Sequence, residues 1–158
     1  MTRLTTIDDE RRNIAELLRD WPPAAVDAII QEMLALWNAE DLCDRICWRW
    51  NSRLRTTIGR ALLEEMILEL NPILLGRNPD EMRGVVVHEL AHLVTTSRYG
   101  FAVAPHGRQW KSLMYAAGES ARATHTLNVD GLRVKAKRRR RRRKSAVEAF
   151  IARFRGSL

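Results

Sequence analysis

The sequence predicts an α+β fold, and three observations predict it. Apolar residues recur at helical spacing over the first 38 residues and again after residue 78. Between them Ile46, Trp48 and Trp50 alternate with Cys47 and Arg49, which is the period of a strand. The chain has 158 residues and 46% of them are hydrophobic. That is enough for one domain to bury a core without disulfide staples.

The elements follow in order. Thr6 stands before Ile7-Asp8-Asp9-Glu10, a cap candidate ahead of an acidic first turn. Ile14, Leu17 and Leu18 continue at helical spacing, so a first helix is expected over residues 7–19. Trp21-Pro22-Pro23 breaks it. Proline is tolerated at a helix start, and Val26, Ile29, Ile30, Met33, Leu34 and Trp37 carry an apolar stripe to residue 38. Over residues 56–70 periodicity supports two readings. Thr56-Thr57-Ile58 is β-prone and Gly59 suits a bulge or a close approach, yet Leu62, Leu63, Met66, Ile67 and Leu70 also fit a helix. Asn71-Pro72 ends that stretch.

Asn78-Pro79-Asp80-Glu81 reads as a helix start, with Asn as N-cap, Pro at the first position and Glu closing a capping box. A central helix over 79–99 is expected, ended by Gly100. After a loop over 101–105, Trp110, Leu113, Met114 and Ala117 predict a helix over 109–117, closed by Gly118. A short strand near 126–129 and a C-terminal amphipathic helix carrying Ala146, Val147, Phe150, Ile151 and Phe154 complete the reading.

Cys43 and Cys47 are too few for a disulfide framework. Their spacing of four would stack them on one helical face as small buried side chains. No apolar leader opens the chain and no apolar run approaches the ~18 residues that span a bilayer. A soluble cytoplasmic protein with no membrane partner is expected.

The chemistry concentrates in His88-Glu89-Leu90-Ala91-His92, an H-E-x-x-H on the expected central helix. Residues four apart share a helical face, so both imidazoles can reach one metal ion. Glu89 lies roughly 100° further round. From there its carboxylate can take the proton of an attacking water that zinc has acidified to a pKa near 7, without binding the metal itself. A catalytic zinc takes three protein ligands and keeps one position open. His106, in His106-Gly107-Arg108-Gln109-Trp110, sits where a following helix begins, and its loop can fold back to the metal. Glu119 is the competing third ligand, and His125 lies in a polar stretch without comparable context.

Four stretches extend the motif: Gly59-Arg60, Leu70-Asn71-Pro72-Ile73-Leu74-Leu75, Val87 to His92, and His106-Gly107-Arg108-Gln109-Trp110-Lys111. Over roughly residues 45–117 they resemble the SprT-like family, which includes the Spartan DNA-dependent proteases. L-N-P-x-L-L, H-E-x-x-H and a downstream H-G-x-x-W together are more specific than H-E-x-x-H alone. The resemblance implies a zincin-like metallopeptidase domain with N-terminal helices, a small β-sheet and a central H-E-x-x-H helix. It implies His106 as third ligand, one catalytic Zn²⁺, protein substrates, and a pair of strands over 56–70. Many family members also carry a C-terminal zinc ribbon with paired C-x-x-C motifs. This sequence has no cysteine after Cys47.

In its place stands a charge block. The net charge is +8, and residues 135–144 read KAKRRRRRRK. Removing those nine basic residues leaves 18 Lys+Arg against 19 Asp+Glu, so the rest of the chain is close to neutral. Lys135, Lys137, Arg138, Arg139, Arg140, Arg141, Arg142, Arg143 and Lys144 are the candidate nucleic-acid contacts. If all nine met duplex DNA phosphates, log K would fall with log salt at a slope of about −8, without sequence preference. Arg45, Arg49, Arg53, Arg55 and Arg60 near Trp48 and Trp50 could form a stacking platform. The favoured reading is that these tryptophans are core and the arginines solvated or paired. Trp110 is read as core packing that positions His106.

The expected organisation is a metallopeptidase domain over 1–134 and a basic tail over 135–158. The expected activity is zinc-dependent hydrolysis of peptide bonds in DNA-associated or DNA-crosslinked proteins, with nucleoid association, or nuclear localisation in a eukaryotic host. The rival expectation is a nucleic-acid-binding protein with a structural zinc and no proteolysis. Intact Glu89 weighs against that rival, because a structural site has no use for a base.

Overall fold

The computed structural model describes residues 6–122. Two helices open the chain, α1 (Ile7–Asp20) and α2 (Pro23–Leu36). Thr6 caps α1 through a capping box. Its hydroxyl accepts from the Asp9 amide, and the Asp9 carboxylate accepts from the Thr6 amide, both at 3.1 Å. Val26, Ile29, Ile30, Met33 and Leu34 bury one side of α2. At its end the Trp37 indole N–H donates to the Leu113 carbonyl at 3.1 Å, and Arg98 donates to the carbonyls of Trp37 and Asn38.

Three strands follow: β1 (Cys47–Trp50), β2 (Gly59–Leu62) and β3 (Ile67–Leu70). Their order is β1-β3-β2, with β3 parallel to β1 and antiparallel to β2. The alternation at 46–50 is β1, and the pair of strands over 56–70 is the β2–β3 hairpin. Leu68 and Leu70 are fully buried on the core face. Glu69 points the other way, and its register partners on either side are Arg49 and Arg60. Arg49 donates to it at 2.7 and 2.9 Å, Arg60 at 2.5 and 3.0 Å, and Asn51 at 2.9 Å. Burial alone would raise the Glu69 pKa, but the bonds from Arg49, Arg60 and Asn51 outweigh it and hold it at about 2.

The cysteines depart from expectation. Cys43 follows a single 3-10 turn (Glu40–Leu42), Cys47 begins β1, and both are exposed. A spacing of four that crosses from turn to strand has no helical meaning. Strand alternation puts Cys47 with Arg49 on the open face, while Trp48 and Trp50 pack half-buried against the core. Those two rings meet edge to face at 5.4 Å, and the Trp48 N–H donates to Asp27 at 2.7 Å. The tryptophans pack against the core without being buried in it, and two of the five nearby arginines are paired through Glu69.

A helix that the sequence reading passed over, α3 (Pro72–Arg77), follows β3 directly. Asn71 is its cap. The Asn71 side-chain oxygen accepts from the amides of Ile73 and Leu74 at 3.0 and 3.2 Å. Its amide nitrogen donates to the carbonyls of Leu54 and Thr57 at 2.9 and 3.2 Å. Asn71-Pro72 is thus a helix start as well as a strand stop. α3 is held to α1 by an ion pair between Arg77 and Glu10.

The central helix, α4, runs Met82–Tyr99. Pro79–Glu81 form a 3-10 turn ahead of it instead of its first turn. The expected Asn78 capping box is not made: the Asn78 side chain donates back to the Leu74 carbonyl at 2.8 Å, at the end of α3. Gly100, at φ 74°, ends α4 as expected. The last described helix, α5, is Arg108–Ala116. α4 packs against α2, α5, β2 and β3, and Val85, Val86, Val87, Leu90, Ala91, Leu93 and Val94 are all fully buried. Apolar burial on consecutive residues marks a core helix. β2 comes unusually close to it. A Cβ on Gly59 would lie 2.6 Å from Val85 Cγ1 and 3.0 Å from Glu89 Cγ, so only glycine allows this approach.

Among the described residues no helix is long and apolar enough to cross a membrane. The expected strand near 126–129, the helix carrying Ala146 to Phe154, the basic run and the boundary at 134/135 lie outside the described residues.

Asn71→Ala removes the cap of α3 and the side-chain donor to the Leu54 and Thr57 carbonyls. It should destabilise the protein by about 2–4 kcal/mol, read by urea denaturation with unchanged m-value.

Candidate metal centre

Two of the three sequence-predicted ligands sit on α4. His88 is buried and His92 lies one turn later, half-buried, on the same face. His106 comes from the loop between α4 and α5. That loop turns tightly at Gly107, whose amide donates to the Ala104 carbonyl at 2.9 Å. A Cβ at Gly107 would lie 2.9 Å from that same carbonyl, which fixes glycine beside His106.

The loop brings the three rings together. The Nε2 atoms of His92 and His106 are 3.1 Å apart, and those of His106 and His88 are 3.3 Å apart. The ligand atoms of all three lie within 4.8 Å of one another. Tetrahedral zinc at roughly 2.0–2.1 Å from each nitrogen requires ligand atoms roughly 3.3–3.4 Å apart. The donor set and the two spacings from His106 therefore fit zinc.

Trp110 underlies the cluster. It is fully buried on α5, and its ring centroid stands 4.8, 5.5 and 4.7 Å from those of His88, His92 and His106. Its indole N–H reaches the His88 carbonyl at 3.3 Å. One rigid side chain thus supports all three imidazoles, more than the positioning of His106 alone that the sequence suggested. The rival ligand Glu119 is engaged elsewhere, facing Arg83 at 3.5 Å. His125 lies outside the described residues.

Glu89 shares the cleft. The cleft has a volume of about 330 Å³, and Arg60, Ala61, His88, Glu89, His92 and His106 are among its walls. The Ala61 backbone N–H, on the sheet's edge strand, faces the Glu89 carboxylate closely enough to favour its charged form. Sequence reasoning missed that contact, because a backbone donor leaves no residue-type signal.

Burial sets the local electrostatics. It raises the Glu89 pKa to about 7 against the smaller opposing effect of the Ala61 amide. It lowers His92 to about 4, with the His106 charge adding to the effect, and it lowers His106, with Lys111 adding. Neutral imidazoles are the form that binds metal.

An α+β domain with a buried H-E-x-x-H helix and a third imidazole delivered by the next loop is what the fold and site define: a domain with a candidate metal site built on one helix and the loop after it. A model of the SprT-like family matches residues 28–138, and the chain belongs to that family. It is 45% identical over 80 residues to Protein SprT of Klebsiella pneumoniae (strain 342), covering 49% of this chain and 48% of that protein. It is 42% identical over 80 residues to Protein SprT of Escherichia coli O1:K1 / APEC and to that of Enterobacter sp. (strain 638), at the same coverage. The chain spans about half the length of the curated relatives it matches. No solved structure matches it.

Two measurements follow. His106→Ala should weaken zinc binding by more than the roughly 10–100-fold that loss of an outer hydrogen bond to a ligand costs. Glu119→Ala should leave it unchanged, both read by competition with a chelating dye. In metal-free protein the shifted groups act in opposite senses. The Glu89 contribution is fully present below about 4.5 and lost as pH rises towards about 7. The His92 contribution is present above about 6.5 and lost as pH falls towards about 4. Metal-free Glu89→Gln should therefore exceed the parent in stability by about 1–3 kcal/mol at pH 8. The gain should vanish near pH 4.5, read by chemical denaturation across that range.

Proposed function

We propose that this chain is a zinc-dependent endopeptidase with a zincin-like catalytic core, acting on proteins associated with or crosslinked to DNA. One observation carries the reading: three imidazoles converge at zinc-ligand spacing in a cleft that also holds the carboxylate of Glu89. His88, His92 and His106 would hold the ion, which when bound supplies Lewis acidity and an acidified water at neutral pH.

The protein's own groups do the rest. Glu89 accepts a proton from the attacking water and returns it to the leaving amine. The Ala61 amide favours the charged form of that carboxylate, and β2 approaches it closely at Gly59. Trp110 fixes the rings, so the ligands need little reorganisation. A structural zinc site would have no use for a carboxylate placed this way.

The DNA-linked role rests on Lys135, Lys137, Arg138 to Arg143 and Lys144, and on membership of the SprT-like family. Nine cations in ten residues attract any phosphate backbone and raise the local concentration of proteins bound to it. Nucleoid association follows from the same attraction.

The test uses the zinc-loaded full chain with a DNA-binding protein as substrate, with and without single- or double-stranded DNA. Glu89→Gln should lose about 10²–10⁴-fold in cleavage rate. Cleavage that persists unchanged in Glu89→Gln overturns the mechanism. Deletion of residues 135–144 should lower the DNA-dependent rate and flatten the salt dependence of DNA binding, by up to about 8 in the log–log slope. Indifference to both DNA and the deletion overturns the targeting.

A further inference from the structure

A small alcove opens beside the metal cleft. Leu63, His92 and Pro105 line both spaces, so the two adjoin at the second candidate ligand. The alcove is closed behind by Thr95, one turn along α4 from His92, and at the side by Val103. Its volume is about 60 Å³. Phe101 stands among its walls and is 66% exposed.

Resting on the peptidase reading above, we propose that this alcove is a specificity pocket. It takes the side chain of one residue adjacent to the scissile bond and admits only small side chains, from alanine to valine in size. Position decides the first half of the claim. A peptide whose carbonyl reaches the three imidazoles has a neighbouring side chain within reach of a space that His92 itself walls.

Volume decides the second half. A liquid water occupies roughly 30 Å³, and an apolar cavity of roughly 150 Å³ is needed to take a benzene ring. About 60 Å³ therefore accommodates the few heavy atoms of alanine, serine, threonine or valine and excludes leucine and aromatic rings. Hydrogen bonding does not set the choice. The Thr95 hydroxyl is sealed from solvent and has no partner among the described residues, so the walls select by shape. The exposed Phe101 ring at the same place offers apolar surface for the substrate backbone and its next side chain to cover.

The experiment maps cleavage sites. The zinc-loaded full chain digests an unfolded protein substrate, and the cut positions are read by mass spectrometry. Peptides with alanine, valine, leucine or phenylalanine at the selected position are then compared by kcat/KM. The same peptides are titrated against Glu89→Gln as a binding readout independent of turnover. Alanine and valine should exceed phenylalanine by about 10-fold or more in both readouts, since one methylene in a pocket discriminates about 10–200-fold.

Val103→Ala and Leu63→Ala enlarge the alcove and should raise the leucine peptide relative to alanine by about 10-fold. Thr95→Val keeps the shape, removes the unpartnered hydroxyl and should leave the ranking unchanged. Cuts with no size preference at any neighbouring position, or a ranking that neither enlarging variant moves, overturn the pocket while leaving the peptidase reading intact. A shift caused by Thr95→Val alone overturns selection by shape. Absence of cleavage on every substrate overturns the peptidase reading and the pocket with it.

Discussion

Burying a helix that carries two imidazoles and a carboxylate is the constraint on which this structure depends. α4 is enclosed by α2, α5, β2 and β3, and its valines and leucines supply the apolar area that holds those elements together. The same enclosure strips water from His88, Glu89 and His92. Uncompensated polar groups in such a place would cost several kcal/mol. The protein answers with specific partners. The Ala61 amide meets Glu89, the Trp110 ring meets the three imidazoles, and the third imidazole arrives from another element. Helix, edge strand and loop are each positioned by that need.

Electrostatics at the centre follow from the same burial. A carboxylate and an imidazole dried together both drift towards neutrality, Glu89 upwards and His92 downwards. Neutral imidazoles are ready for a cation. Glu69 shows the opposite solution on the other side of the sheet. Its side chain is 1% exposed, yet two guanidiniums and an amide keep it ionised. One acid is driven towards neutrality by its surroundings and stands beside the three imidazoles. The other is paired and serves architecture.

Much of this was legible in the sequence, and what was missed shares a cause. The period of 3.6 found α1, α2, α4 and α5 within a few residues, because each buries a continuous stripe. His88, Glu89 and His92 were legible because helix geometry alone fixes their relation. His106 needed the family resemblance, since no periodicity connects a loop residue to a helix 14 positions back. The β2–β3 hairpin was ambiguous because Leu62, Leu63, Met66, Ile67 and Leu70 satisfy both periods, and α3 was hidden behind an Asn-Pro read only as a stop. The cysteines misled because a spacing has meaning only within one element type. The pairing of the Ala61 amide with Glu89 was invisible in principle: main-chain donors are the same at every residue.

The arginine–glutamate–arginine row across the sheet has a consequence for assembly. Successive residues of a strand face opposite ways, so sliding β3 by one position would drive Glu69 into the core and push Leu68 and Leu70 into water. Only one alignment satisfies both faces. That alignment also sets which residue of β2 lies opposite α4, placing Gly59 at Val85 and the Ala61 amide at Glu89. The row therefore works as an indexing pin. A charge pattern on the outer surface dials in, to within one residue, the setting of the Glu89 carboxylate on the far side.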